Sequence, residues 1–207
     1  MSNRPAGIVL SGGASRRMGR PKALLPWGNG TLAEAQLTAL ETAGCAVCRI
    51  VTGAHDAQIR PVLGTERCIF NERWREGRVT SVQTAMRELP RASGWLFLPV
   101  DAAGVRPETL RAVLDAASSD PSVPWRPCCN GRDGYALWIP SILAPDVLAL
   151  PPDARLDEWA APRSRRLECG DTALLRNLNT PEDWSSARVA PPPHPPLTAC
   201  PSRKTRE

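Results

Sequence analysis

Between Leu10 and Lys22 the chain reads LSGGASRRMGRPK, a stretch whose residue types suit the binding of a polyanion. Gly12 and Gly13 are expected to supply positive φ, so that the backbone N–H groups of Leu10, Ser11, Gly12 and Gly13 can come close to an anion. Arg16, Arg17, Arg20 and Lys22 then place four cations within seven residues. Such a cluster repels itself unless something strongly negative sits among it, and a triphosphate fits. Much later, the most apolar run of the chain, Trp95 to Val100, ends in Asp101. A carboxylate at the end of a buried strand, beside a cationic phosphate loop, can hold Mg²⁺ against the phosphates. Asp101 could instead cap the next helix, but Pro107 and Glu108 mark that helix start several residues further on.

Two phosphate loops are excluded by spacing. Walker A requires G-x-x-x-x-G-K-[ST], whereas five residues separate Gly13 from Gly19 and Arg20-Pro21 follows. The dinucleotide fingerprint G-x-G-x-x-G is absent as well. What stands there, L-x-x-G-x-S-x-R-M-G-x-x-K, fixes seven residues over thirteen positions. It resembles the signature loop of nucleotidyltransferases that activate a phosphorylated small molecule with a nucleoside triphosphate, and most closely that of the molybdenum cofactor cytidylyl- and guanylyltransferases. The segment Asn71-x-x-Trp74-x-x-Gly77-x-x-x-Ser81 is similar to a stretch lining the nucleotide pocket in that family, and NLNTPED (177–183) to its closing signature.

The resemblance implies an α/β, Rossmann-like three-layer fold with a mostly parallel central sheet and helices on both faces. It implies an NTP as one substrate, the terminal phosphate of a molybdopterin-like acceptor as the other, and pyrophosphate as product. Arg17 would grip the β- and γ-phosphates, Lys22 would neutralise charge at the α-phosphate, and Asp101 would carry Mg²⁺. Leu10, Ser11, Gly12 and Gly13 would serve phosphate and base through their backbone, and Asn71 and Ser81 would line the nucleotide pocket. Asn71 could also be a turn residue and Ser81 a helix cap. Asn179 stands where some relatives have a second metal-binding Asp, and a neutral amide is a poorer ligand for a hard dication. CTP is slightly favoured over GTP: S-x-R-M-G-x-P-K and N-x-x-W resemble the cytidylyl branch, although Ser11-Gly12-Gly13 and NLNTPEDW resemble the guanylyl one. A molybdoenzyme or its maturation chaperone would be the partner. Tyr135-Ala136 replace the His-Pro of relatives in the acceptor segment. A sugar- or alditol-phosphate nucleotidyltransferase and a non-catalytic nucleotide-binding maturation partner are the alternatives.

The elements that must position these residues alternate strand and helix, which implies right-handed crossovers. Ala6 to Leu10 reads as a buried parallel strand. Thr31 and Glu34 form a capping box opening a helix that Gly44 stops, with Leu32, Ala35, Ala39 and Cys45 roughly on its inner face. Strands are expected at 46–52 and 67–70, a short helix at 56–63, and a helix ending near Leu89. After a helix at 107–117, the proline-rich stretch 120–127 is expected to be a loop or edge strand. A turn and then a strand over Gly131–Ile139, a short helix at 153–159 and short strands at 165–169 and 174–178 follow. Thr180, Pro181 and Asp183 form a helix start. Trp74 is expected to be a packing residue.

Composition narrows the class. With 207 residues, 42% hydrophobic and 23% charged, the chain suits one α/β domain over residues 1–186 and a proline-rich, basic, disordered tail over 187–207. The tail holds Arg188, Arg203, Lys204 and Arg206 against Glu207, which is +3 of the formal +5, so no nucleic-acid surface is indicated. No run approaches a membrane span or a signal peptide, and the expected address is the cytoplasm. Seven cysteines without framework spacing read as reduced thiols, with Cys45 and Cys48 buried and inert. Two histidines, His55 and His194, argue against a histidine-based triad or metal site.

Overall fold

The computed structural model describes residues 4–188. Its strands are β1 (Ala6–Ser11), β2 (Pro26–Trp27), β3 (Gly30–Thr31), β4 (Val47–Thr52), β5 (Cys68–Phe70), β6 (Gly94–Pro99), β7 (Trp125–Cys129), β8 (Arg132–Asp133), β9 (Leu137–Pro140) and β10 (Arg165–Glu168). Its helices are α1 (Leu32–Ala43), α2 (Asp56–Leu63), α3 (Val79–Glu88), α4 (Pro107–Ser119), α5 (Ala144–Leu148), α6 (Leu156–Ala160) and α7 (Pro181–Arg188). The main sheet runs β10-β7-β9-β6-β1-β4-β5, with β8 hydrogen-bonded to β7, while β2 and β3 form a separate hairpin.

β1 has no charged residue and is central: β4 and β6 flank it in parallel, and β5 extends the parallel half beyond β4. Alternation along these strands divides the core in two. Val9, Leu96 and Leu98 face α1, α2 and α4, packing with Leu37, Leu40, Ile59, Leu110 and Val113. Ile8, Val51 and Phe97 face α3 and α5, packing with Val82, Met86 and Val147. The result is the three-layer, mostly parallel α/β architecture expected: β9 is the reversed strand between β6 and β7, β7 and β10 run parallel to each other, and β8 pairs antiparallel with β7.

α1 shows how local signals are used. Thr31 accepts the N–H of Glu34 and the Glu34 carboxylate accepts the N–H of Thr31, closing the capping box, and Gly44 ends the helix in the left-handed region at φ 110°. Leu32, Leu37 and Leu40 are fully buried, each contributing roughly 1.5–3 kcal/mol. The buried stripe is Leu32, Ala33, Gln36, Leu37, Leu40 and Ala43, so Ala35 and Ala39, expected on it, lie at its half-buried margin.

Three further expectations are corrected. Residues 125–129 of the proline-rich stretch form an interior strand, β7, between β10 and β9. Pro127 is accommodated because its carbonyl, which accepts the N–H of Gly134, turns that side of the residue toward the β8–β9 connection. The β7–β9 ladder there is a single bridge, Trp125 with Trp138, and needs no N–H from residue 127. Residues 174–178 are not a strand: Thr172–Leu175 form a 3₁₀ turn that Asp171 caps by accepting the N–H of Ala173. The short helix expected at 153–159 is α6, at Leu156–Ala160. Of the tail assigned to 187–207, Ala187 and Arg188 complete α7, and the remainder lies outside the described residues, as do His194 and Cys200. No helix among the described residues is long and apolar enough to cross a membrane.

Candidate active site

The carboxyl ends of β1, β4 and β6 open on one edge of the sheet, where ligands of open α/β folds bind. Asp101 stands just past the end of β6, in a turn tied down on several sides. Val100 donates to the Leu10 carbonyl at 3.0 Å, Ala102 to Pro99 at 3.0 Å, and Leu178 to the carbonyl of Asp101 itself at 2.9 Å. From α1, the buried Gln36 amide donates to Pro99 O at 3.1 Å and Ala102 O at 3.0 Å, bracketing the aspartate. The sequence signal for Gln36 is a polar side chain inside an otherwise apolar stripe, and it belongs to no motif.

Lys22 opens a 3₁₀ turn, Lys22–Leu24, whose Ala23 and the following Leu25 are fully buried. That burial fixes the backbone and leaves the amine aimed across the sheet end. Its Nζ lies 3.2 Å from Asp101 Oδ2 and donates to Asn179 Oδ1 at 3.0 Å. Arg17 donates to the same Asn179 oxygen at 3.1 Å. The loop that carries Arg17 is shaped by Ser15, at φ 46°, whose carbonyl accepts from Met18 and Gly19, and by Gly19 at φ 72°. Asn179 is fixed in turn: its amide donates to Asn177 at 2.8 Å, and its backbone N–H donates to Asp183 at 2.9 Å.

The four loop cations therefore do not converge on one point. Arg17 and Lys22 share Asn179, Arg20 lies over the Trp184 ring at 5.2 Å, and Arg16 lines a cleft of about 540 Å³ with Gly13, Ala14, Ser15, Trp74 and Arg75. Trp74 does more than pack, because its ring carries the Arg75 guanidinium 4.2 Å from its centroid at the wall of this cleft.

Neither Gly12 nor Gly13 adopts the positive φ expected, and of the two it is Gly12 that close packing requires to be glycine. A Cβ on Gly12 would stand 2.7 Å from Ser81 Oγ, and one on Gly53 would stand 2.4 Å from Gly12 O. Close approach of three chain segments is what requires glycine at 12 and at 53. Gly13 has open space beside it. Behind Ser81, Asn71 is almost fully buried. It donates to Ser81 Oγ at 3.0 Å and Thr80 Oγ1 at 2.9 Å, and it accepts from Arg73 N at 3.0 Å. Its side chain is committed inward, so it supports Ser81 and does not itself line an open pocket. Ser81 is not the helix cap, a place held by Arg78. His55, which belongs to no sequence motif, meets Ala14 O through Nε2 at 3.0 Å and braces the glycine loop from the start of α2.

Electrostatics favours this edge over the cysteines. Burial, with Glu168 beside it, pushes the Cys128 thiol up to about 12, and burial raises Cys169 to about 11; Cys45 is raised by its hydrogen-bonded neighbour Cys48 and by burial. Such thiols are poor nucleophiles. Asp183 is shifted the other way, held below the usual carboxylate range by the N–H groups of Asn179 and Thr180. No group of three His, Cys, Asp or Glu side chains able to hold a metal unaided exists among the described residues. Asp101 as a lone carboxylate fits Mg²⁺ of the kind that arrives with its phosphates, since that ion commonly takes one or two carboxylates and several phosphate or water oxygens.

A parallel α/β sheet with a glycine-arginine loop after its first strand and an aspartate after a neighbouring strand is the layout of a nucleotidyltransferase. The chain belongs to the MobA-like NTP transferase domain family, whose model matches residues 7–169. Over 78 residues it is 37% identical to nicotine blue oxidoreductase of Paenarthrobacter nicotinovorans, an alignment that spans 36% of this chain and 38% of that protein. Among solved structures, Rv0371c from Mycobacterium tuberculosis superposes with a TM-score of 0.74 at 22% identity, over 89% of this chain and 97% of that one. A manganese complex of Rv0371c gives 0.66 at 19%, over 88% and 97%. Molybdopterin-guanine dinucleotide biosynthesis protein A from Archaeoglobus fulgidus gives 0.68 at 16%, over 88% and 96%.

Proposed function

We propose that this nucleotidyltransferase moves a nucleoside monophosphate from an NTP, CTP before GTP, to the terminal phosphate of a molybdopterin-like acceptor. The observation that carries the reading is the placement of the Lys22 amine between Asp101 and Asn179, with Arg17 on the same amide. An ionised acceptor phosphate oxygen forms a bond to the α-phosphorus while the bond to the β-phosphate oxygen breaks, and pyrophosphate leaves. That nucleophile carries no proton at neutral pH, so no general base is required. Catalysis then rests on orientation and on neutralising charge. Arg17 holds the β- and γ-phosphates, and Lys22 faces the charge growing at the α-phosphate. The backbone of Leu10, Ser11, Gly12 and Gly13, with Ser81 behind Gly12, receives the nucleotide, and Asn71 keeps Ser81 in place. Asp101 would hold Mg²⁺, which when bound withdraws charge from the phosphates. The preference for CTP follows the loop ending in Pro21-Lys22 and the Asn71-x-x-Trp74 segment. The cytoplasm, and a molybdoenzyme or its chaperone as recipient of the product, belong to the same reading.

The test is pyrophosphate release from each of four NTPs paired with molybdopterin, its metallated form and common sugar phosphates. Release with CTP and a molybdopterin acceptor is expected. Release with a sugar phosphate alone would move the acceptor class, and NTP binding with no release under any pairing would make the chain a non-catalytic partner.

A further inference from the structure

We infer that Asn179 is the positioning residue for Lys22 and Arg17, and that the site uses its lack of charge as much as its shape. The inference rests on the reading of those two cations as phosphate contacts. An Asn amide offers an oxygen that accepts and a nitrogen that donates. Here the nitrogen is given to Asn177 Oδ1 at 2.8 Å, so the oxygen is the end that faces outward, and both Lys22 (3.0 Å) and Arg17 (3.1 Å) donate to it. Rotating the amide by half a turn would set its N–H groups against two cations. Its backbone is equally constrained: Asp183 accepts from both Asn179 N and Thr180 N at 2.9 Å, and Leu178 N is bonded to Asp101 O. Asn179 thus holds the cationic loop by its side-chain oxygen and the start of α7 by its backbone N–H, one residue beyond the bond from Leu178 to the aspartate turn.

Charge decides what that oxygen should belong to. Lys22 and Arg17 carry two positive charges against those on Asp101 and on Asp183, whose carboxylate also feels the charge of Lys22. Asparagine adds nothing to the negative side of that balance. Aspartate at 179 would tip it against a polyanion and replace two hydrogen bonds by two ion pairs that compete with phosphate for the same donors. Alanine would keep the charge but release both side chains from a shared anchor. The order expected for triphosphate affinity is therefore Asn, then Ala, then Asp. A residue whose task was to ligate a metal would give the opposite order, since aspartate is the better ligand.

The experiment uses the full chain, calorimetric binding of CTP and GTP with Mg²⁺ and no acceptor, and pyrophosphate release. Asn179→Ala should lower kcat about tenfold with KM for the NTP raised no more than about threefold, as expected for lost pre-organisation. Asn179→Asp should weaken NTP binding about tenfold or more and leave the Mg²⁺ requirement no lower. Asn177→Ala, which leaves residue 179 in place but frees its amide to rotate, should give a smaller loss of kcat in the same direction, and it carries the test if the 179 variants fail to fold. A fourth measurement needs no nucleotide: acetylation of Lys22 by a succinimidyl ester, mapped by peptide mass, should quicken about threefold in Asn179→Ala as its partner is lost. Asn179→Asp binding NTP as tightly as the parent, or unchanged Lys22 acetylation, would overturn the inference. A parent chain that binds no NTP while acetylation still responds would sink the functional reading and leave Asn179 as the anchor of Lys22.

Discussion

Lys22 and Asp101 lie 79 positions apart in the chain and meet at 3.2 Å over the carboxyl edge of the sheet. The side chains are 11% and 27% exposed, so the pair is screened from water without being sealed from it. A pair so placed is poised to exchange partners. On the proposed function, the amine would turn to a phosphate oxygen of the triphosphate and the carboxylate to the accompanying cation, so that neither is left as a buried, uncompensated charge.

Lys22→Ala should therefore remove catalysis far more than stability. Loss of one preorganised donor to developing charge costs about 3 kcal/mol of transition-state stabilisation, or two orders of magnitude or more in kcat. The fold should survive, because the turn is held by the buried Ala23 and Leu25 and not by the amine. Steady-state pyrophosphate release beside a thermal melt checks both halves. Near-normal turnover would take Lys22 out of the mechanism.

Asp101→Asn tests the metal assignment. The backbone bonds that place residue 101, from Leu178 to its own carbonyl and from Gln36 to Pro99 and Ala102, do not involve the carboxylate and should persist. Turnover should fall at least a hundredfold, and the Mg²⁺ concentration giving half-maximal rate should rise about tenfold as a charged ligand becomes neutral. A Mg²⁺ titration superimposable on that of the parent would place the ion elsewhere.

The glycine loop yields a prediction from space alone. Gly12→Ala puts a methyl 2.7 Å from Ser81 Oγ, and that hydroxyl cannot move aside without leaving Asn71. KM for the NTP should rise about tenfold, because a crowded loop loses both its backbone approach and the Ser81 position, and Ser81→Ala in the same chain should recover part of the loss. Gly13→Ala, with open space and ordinary φ, should be tolerated. If both glycine variants bind NTP equally, close packing at Gly12 is not what the loop depends on.

Local chemistry accounts for what could be read from the chain. The capping box at Thr31, the stop at Gly44 and the start at Thr180-Pro181 depend on neighbours within four residues, and each appears where spacing puts it. The meeting of the Arg17–Lys22 loop with Asp101 was legible because a phosphate loop and a strand-end carboxylate both need the same sheet edge. What escaped were choices made by distant parts of the chain. Pro127 looks incompatible with an interior strand until the partner ladder is seen to ask nothing of it. Gln36 and His55 carry no motif, and their partners, the carbonyls of Pro99, Ala102 and Ala14, come from other elements. At Asn179 the sequence gives the chemistry of an amide where some relatives have a metal ligand, but not the two cations that face it.

Acid should loosen the site from its C-terminal side, through Asp183. Hydrogen bonds from the backbone of Asn179 and Thr180 hold its carboxyl below the ordinary value, with a smaller contribution from the charge of Lys22. A carboxylate with a depressed folded-state pKa stabilises fully above its unfolded value and loses that contribution as pH falls through the folded one. The anchoring of α7, and of Asn179 with it, should thus be complete from neutrality down to about pH 5 and weaken below about pH 4. Thermal melts of the parent and of Asp183→Asn from pH 7 to pH 3 check this. The parent should melt higher at pH 7, and the gap should close as the pH drops, because protonation makes the parent resemble its variant. A gap that stays constant down to pH 3 would mean that the cap works by shape and not by charge.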